Sequence, residues 1–368
     1  MNAFFVRTGQ IWVACLLIFL WGCTSDKQKT ATTSAPRADA ASAVIKIKDP
    51  KPYPFRFIAY GDMRFAERAS YGQVIADADA RQQVVDQIGK ESPAFLVVTG
   101  DFVFRGFHSE DWQYWHRAIQ PMRDRGIRVF PAIGNHEVGP FPPKTWGGEA
   151  FQEIASVAEP VIAARGLANY FAEFPELSGQ SWYSAQYANC YFLVLDSEAD
   201  DASQLAQKQW MTAQLGAIPA EIDYIFVVLH RPPYTALTDE VHKPQPMELE
   251  LRAMLEEHQK TTRARIVVIA GHVHNYERYE HGGVEYIVSG GGGAAPPTKP
   301  FPRATDDLYT NGKQDPLNQA LYHYCVFTID HSNLSFQMMK LVGQGKSATF
   351  QPSDSFKLNI DPHGTTPH

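Results

Sequence analysis

Thiols are scarce in this chain, with four cysteines among 368 residues. Cys190 and Cys325 lie in apolar, strand-like runs (NCYFLVLD and YHYCVFTI), where they fit buried free thiols or a single bridge to one another. No framework of crosslinks therefore defines the fold. An excess of positive charge is missing too: Lys and Arg number 33 against 40 Asp and Glu, for a formal net charge of −7 and a pI of about 6.0. That balance excludes the basic footprint of a nucleic-acid binder, and no nucleic-acid partner is expected. An anionic substrate would have to find positive charge supplied locally. Long apolar runs are absent beyond IWVACLLIFLW at 11–21. At about 1.5 Å per residue that run is too short to cross a ~30 Å hydrocarbon core, and it fits the apolar part of a secretory signal. Residues 51–350 contain no internal repeat and no proline-rich linker, which argues for one large domain. What is present suits a globular core: 44% of residues are apolar and 20% charged.

LWGC (20–23) resembles the processing box of bacterial lipoproteins, which implies cleavage before Cys23 and a lipid on its sulfur. Trp21 is bulkier than the small residue usual there, and an uncleaved apolar anchor is the alternative. Both tether the protein to a membrane. Residues 24–50 are small and polar, with almost no large apolar residue before Val44, and read as a flexible tether. The expected organisation is a signal peptide at 1–22, a tether at 23–50, one globular domain at 51–350 and a C-terminal tail at 351–368. The expected location is the bacterial cell envelope, exported and anchored on the periplasmic side.

From residue 55 short β-rich runs alternate with stretches of helical spacing. FRFIAY (55–60), AFLVVT (94–99), IRVFPAI (127–133), CYFLVLD (190–196), YIFVVL (224–229) and RIVVIA (265–270) are apolar on both faces. Helical periodicity covers about 70–91, 109–125, 148–165, 203–216 and 246–260, and ALYHYCVFTID with LSFQMMKL reads as a hairpin. Buried strands separated by helices make an α/β protein. Five of those strands end in chemistry: GD (61–62), GD (100–101), GNHE (134–137), HRPPY (230–234) and GHVH (271–274). Ligands sit outside the carboxyl ends of strands in open α/β sheets, and glycine lets the chain turn at once.

Asp62, Asp101, Asn135, His230, His272 and His274 offer three oxygen and three nitrogen ligands without a thiolate. Such a set suits Fe, Mn or Zn in a working site rather than a cysteine-built structural zinc. Six ligands exceed what one ion with an open position needs, but they match two ions that share a carboxylate ~3.5–4 Å apart. Two such ions leave a positive centre that attracts phosphate. A water between them becomes a bridging hydroxide near neutral pH and can attack phosphorus in line.

The order GD, GD, GNHE, H, GHVH over residues 61–274 resembles the calcineurin-like metallophosphoesterase superfamily. GNHE, HRPPY and GHVHNYER are most similar to its purple acid phosphatase branch, as is WYSAQYANCYFLVLDSEAD (182–200) with the QKQWMTAQL that follows. The resemblance covers most of residues 55–295. It implies an α/β fold in which two mixed β-sheets pack as a sandwich flanked by helices, with the site at one edge. It also implies that Asp101 bridges two metals, that Asp62 and His274 hold the first, and that Asn135, His230 and His272 hold the second. His136 is then the natural acid for the leaving oxygen, with Glu137 to orient it.

Two positions depart from the family pattern. Phe104 stands where the branch has a metal-binding tyrosine in GDxxY, and Arg64 stands where the wider superfamily has a histidine. Arginine is a poor metal ligand, but its planar fork suits two phosphate oxygens, so Arg64 is expected to bind the substrate phosphate. Pairing with a nearby carboxylate such as Glu67 is the alternative. SGGGG (289–293) lacks the lysine of a P-loop and reads as a turn or close-packing device. Tyr276, Glu277 and Arg278 are expected to brace the GHVH loop, and loops 139–150 and 294–319 to form the rim. His242 and the other histidines match no block, though His108 is close enough to GDFVFRG to line the pocket. The expected function is hydrolysis of a small phosphorylated substrate with two transition-metal ions, phosphomonoesters first. Phosphodiester or pyrophosphate cleavage is the near alternative, and a non-catalytic metal-binding scaffold is the alternative of another class.

Overall fold

Strands that are apolar on both faces need cover on both sides, and here a second sheet and a layer of helices provide it. The computed structural model describes residues 45–47, 50–66, 76–139, 159–237, 239–295, 321–343 and 345–360. The signal segment, Cys23, Glu67 and most of the tether and rim loops lie outside them. The strands are β1 (Ile45–Lys46), β2 (Phe55–Tyr60), β3 (Phe95–Val98), β4 (Arg128–Pro131), β5 (Tyr183–Tyr187), β6 (Cys190–Val194), β7 (Tyr224–Val228), β8 (Arg265–Ala270), β9 (Tyr276–His281), β10 (Val284–Ser289), β11 (His323–Asp330), β12 (Asn333–Val342) and β13 (Thr349–Asn359). The helices are α1 (Ala78–Glu91), α2 (Ser109–Ala118), α3 (Gln120–Arg123), α4 (Asn135–Val138), α5 (Glu159–Glu173), α6 (Asp201–Gly216) and α7 (Pro246–Gln259).

One sheet has the order β1-β5-β6-β7-β8-β10-β9 and the other β13-β12-β11-β2-β3-β4. In the first, β6, β7, β8 and β10 run parallel and β9 antiparallel; in the second, β2, β3 and β4 run parallel and β11 antiparallel. Both sheets are mixed. Aromatic rings fill the space between them. Phe57 stacks on Phe95 and Phe327 of its own sheet, with centroids 5.0 and 4.6 Å away, and meets Phe192 and Phe226 of the other sheet edge-on at 5.5 and 5.0 Å. The opposite face of β6–β8 carries Leu193, Val227 and Val268, packed with Met211 of α6 and Leu255 of α7. Each strand thus feeds two cores by simple alternation.

Four elements differ from the sequence reading. The helix expected over 109–125 breaks into α2 and α3 because Pro121 sits in the first turn of α3 and cannot continue a helix. The tether ends early, since Ile45 and Lys46 pair with β5. Residues 351–360 are no tail. All but Ile360 belong to β13, which pairs with the whole of β12, and the loop-like PSD inside it falls at a register shift between Met338 and Met339. The fourth is β9, whose YERYEH sequence looks too polar for a strand. Its buried Arg278 reaches Asp354 of β13, with Nε 2.6 Å from Oδ2, and Tyr276 donates to the same oxygen at 2.6 Å.

That ionic knot also touches Glu285 on β10, whose Oε2 lies 3.5 Å from Arg278 Nη1. Burial pushes the Glu285 pKa from 4.5 up to about 7, against the opposing pull of Arg278. An acid with a raised folded pKa holds its proton more tightly folded than unfolded. The fold is therefore penalised as pH climbs above 4.5, and fully so above about 7. Glu285→Gln should gain on the wild type by roughly 2–3 kcal/mol between those limits and by nothing further outside them. Urea midpoints measured across that range would show it, and parallel pH profiles would rule it out.

Candidate metal centre

Asp62 follows β2, Asp101 follows β3, Asn135 opens α4 after β4, His230 follows β7, and His272 and His274 follow β8. These strands come from both sheets, so the six side chains converge from two layers. Backbone bonds hold the tips together: Asp62 N–H donates to Gly100 O at 3.1 Å, Gly271 N–H to His230 O at 2.9 Å, and Ala294 N–H to Asp62 O at 2.7 Å. The turns need φ values of 59° at Asp62, 51° at Arg64, 54° at Asp101 and 69° at His272. Left-handed backbone at non-glycine residues costs on the order of 1–3 kcal/mol each and clusters at functional sites. At Gly100, with φ of 95°, an added Cβ would sit 2.8 Å from His230 Nδ1 and 2.7 Å from Gly134 N. Only glycine lets the β3, β4 and β7 tips meet there.

The lone pairs point inward. His230 Nδ1 lies 2.7 Å from the Thr99 carbonyl, which can only accept, so the ring proton is on Nδ1 and Nε2 carries the lone pair. His274 Nδ1 stands likewise 2.9 Å from Ala295 O. His272 is turned the other way, its Nε2 3.0 Å from Val241 O, which leaves the lone pair on Nδ1. Arg231 Nη1 approaches that Nε2 at 3.2 Å, but the carbonyl decides the tautomer. Asn135 Oδ1 then faces His230 Nε2 at 2.9 Å and His272 Nδ1 at 3.0 Å, and Asp101 Oδ1 lies 3.4 Å from His230 Nε2. Beside them, Asp62 Oδ1 and His274 Nε2 are buried, 3.7 Å apart and without a hydrogen-bond partner. Ligand atoms of Asp62, Asp101 and His274 all fall within 4.8 Å of one another.

Acceptors facing acceptors in a buried space fit a cation. The electrostatics agree. Burial and the neighbouring Asp101 raise the Asp62 pKa well above its ordinary value. Burial works against ionised Asp101 as well, but the Arg64 guanidinium and the His136 backbone N–H help to hold its pKa well below that value. Burial lowers His272 and His274 far enough to keep both rings neutral, the form that binds metal.

The sequence profile described as calcineurin-like phosphoesterase matches residues 55–276. The chain belongs to that family. Among relatives of this chain, "Purple acid phosphatase 22" of Arabidopsis thaliana is 25% identical over 63% of this chain and 46% of its own length. "Probable inactive purple acid phosphatase 1" of the same plant is 25% identical over 83% of this chain and 50% of its own. The chain spans about half the length of these relatives. The solved structure of a purple acid phosphatase from yellow lupin (Lupinus luteus) seeds shares the fold, with a TM-score of 0.60 and 21% identity over 84% of this chain and 55% of that one.

The expected ligands are thus brought together, but three other residues behave differently from the sequence reading. Glu137 does not orient His136. Its Oε2 accepts the Asp101 and Gly134 N–H groups at 2.9 Å each, and its Oε1 those of Phe102 at 2.9 Å and Val103 at 3.4 Å. It shapes the Asp101 turn. His136 places Nδ1 2.8 Å from Phe104 O and Nε2 3.8 Å from Asp101 Oδ2. Burial and the Arg64 charge push its pKa down to about 3, which favours a neutral ring with its proton on Nδ1, toward the Phe104 carbonyl. Arg64 is not free for phosphate: its Nε and Nη2 lie 3.2 and 3.1 Å from Asp101 Oδ2.

The glycine loop after β10 is a close-packing device. Gly292 N–H donates to Gly61 O at 2.9 Å, and a Cβ on Gly290 would meet Val273 O at 2.0 Å. Sequence reasoning missed His242, whose ring centroid is 5.1 Å from that of His272 and whose Nδ1 lies 2.9 Å from Asp239 Oδ1. No motif block contains it. Its position beyond the HRPPY turn was the only available signal.

Proposed function

We propose that the chain is a metal-dependent hydrolase of phosphate esters. Asp62 and His274 hold one cation, Asn135, His230 and His272 hold the other, and Asp101 serves both. The supporting observation is the partnerless buried pair Asp62 Oδ1 and His274 Nε2 beside a second group of inward lone pairs. The donor set suits Fe, Mn or Zn, and two such cations supply positive charge to phosphate oxygens and lower the pKa of water near them. The chain's own part is preorganisation. Carbonyls of Thr99, Val241 and Ala295 fix the tautomers of His230, His272 and His274 before any ion arrives. Arg231, gripped by Glu198 at 2.6 and 3.0 Å, adds fixed positive charge beside His272. His242 is part-exposed and paired with Asp239, so it is placed to pass a proton to the leaving oxygen.

Phosphomonoesters are the favoured substrates, in keeping with the phosphatases among the relatives. Phosphodiesters and pyrophosphate are alternatives for the same cluster. A non-catalytic scaffold is the second reading, favoured by the ion pair between Arg64 and Asp101. The full chain, stripped with chelator and reloaded in excess Mn²⁺, Zn²⁺ or iron, should hydrolyse an aryl and an alkyl phosphomonoester in a metal-dependent way. His272→Ala should lose metal and at least ~10²-fold in rate, whereas His242→Ala should keep its metal and lose most with the alkyl ester. Metal uptake without turnover on monoester, diester or pyrophosphate would establish the scaffold instead. Equal losses on both esters in His242→Ala would remove the proton-donor role.

A further inference from the structure

Arg64 is fixed in the centre of the cluster by more than its charge. Its N–H donates to Asp101 O at 2.9 Å and its carbonyl accepts from Arg81 Nη1 at 2.8 Å. Arg81 is itself buried and lies over the Phe65 ring at 4.3 Å. The left-handed backbone at Arg64, together with these anchors, delivers the guanidinium to Asp101 with only 8% of its side chain exposed. Two N–H groups then converge on one oxygen, Asp101 Oδ2. The other oxygen, Oδ1, takes the His136 N–H at 3.0 Å and faces His230. Asp101 is thus divided. One oxygen looks to the Asn135, His230 and His272 half of the cluster, and the other is already occupied by a cation belonging to the chain.

The two halves differ accordingly. Asn135, His230 and His272 stand 2.9–3.2 Å from one another, with an Asp101 oxygen at hand that no side-chain cation of the chain occupies. Asp62 Oδ1 and His274 Nε2, the two atoms without a hydrogen-bond partner, lie beside a carboxylate whose Oδ2 meets Arg64. A metal ion on Asp62 and His274 would share Asp101 with a buried guanidinium that is always charged.

We propose that Arg64 is a built-in counter-cation that makes the two metal positions unequal. One divalent ion binds tightly at Asn135, His230 and His272, and a second binds at Asp62 and His274 only by displacing Arg64 from Asp101 Oδ2. The inference rests on the metal-dependent reading above. It adds an order of loading, in which the Arg64 side decides whether the cluster holds one ion or two.

The test is a count of bound Mn²⁺ or Zn²⁺ by equilibrium dialysis and elemental analysis, on the full chain after removal of metal by chelator. The wild type should take up one tight equivalent and a second at least ~10-fold weaker. Arg64→Met keeps the length and removes the charge. The second equivalent should then tighten ~10- to 1,000-fold, the range over which one nearby charge shifts a carboxylate's affinity for a proton. Arg64→Lys retains the charge and should stay stepwise. Two equal equivalents in the wild type would overturn the inference and leave the metal-dependent reading standing. So would an Arg64→Met isotherm that keeps the tight equivalent and superimposes on the wild type. Should Arg64→Met lose the tight equivalent by misfolding, the wild-type isotherm and Arg64→His decide: a second equivalent tightened by the histidine supports the inference, and an unchanged one overturns it. Asn135→Ala in parallel should abolish the tight equivalent, and a wild type that binds no metal would overturn both the inference and the reading beneath it.

Discussion

Asp101→Asn is expected to empty the cluster and to weaken the fold at the same time. The carboxylate is fully buried, faces both groups of ligands and balances Arg64. An amide keeps the shape but brings no charge, so metal affinity should fall by at least ~10²-fold, beyond the ~10–100-fold typical of a residue that merely supports a ligand. Turnover should fall with it. In chelator the same variant should be less stable by about 3–5 kcal/mol, because Arg64 is left as a buried charge without its partner. Adding Arg64→Met to Asp101→Asn should recover much of that stability and none of the metal. Unchanged metal content and an unchanged urea midpoint in the single variant would refute the central place given to Asp101.

Glu137→Gln should be almost as disruptive, although the residue is fully buried and is not itself among the ligands. Both oxygens of Glu137 accept two backbone N–H groups each, from Asp101, Gly134, Phe102 and Val103. Glutamine offers one oxygen, so its amide nitrogen must face two N–H donors that have no other acceptor. Each buried donor left unmet costs about 1–3 kcal/mol, for a loss of roughly 3–5 kcal/mol in all. The left-handed turn at Asp101 should loosen as well, lowering metal affinity without removal of any ligand. Thermal and urea unfolding in chelator, with a metal titration, would measure both effects. Stability within about 0.5 kcal/mol of the wild type would show that the four N–H groups have found water instead.

The tips of the strands were legible because their signal is local. A run such as RIVVIA, apolar on both faces, can only be an interior strand, and GHVH directly after it can only lie at its carboxyl end. What stayed hidden was set by partners far along the chain. The Arg64 partner is 37 residues away, and the donors to Glu137 on the β3 turn lie 34 to 36 residues away. Local reasoning put Arg64 toward substrate and Glu137 toward His136, its immediate neighbour. It stopped the domain at 350 for a similar reason: QPSDS has turn composition, and its single buried acid, Asp354, gains meaning only from Arg278 on another strand. His242 was invisible because proximity to His272 arises from a loop that no spacing rule describes.

β2 is hydrogen-bonded on one side to β3 and on the other to β11, whose residues 323–330 come near the end of the chain. The first long strand to be synthesised therefore waits for almost the last before its sheet can close, and Asp62 at its tip waits with it. Long-range pairing of this kind folds slowly. Until β11 is available, the β2–β3–β4 half of that sheet lacks the antiparallel neighbour that covers β2, the strand that carries Asp62.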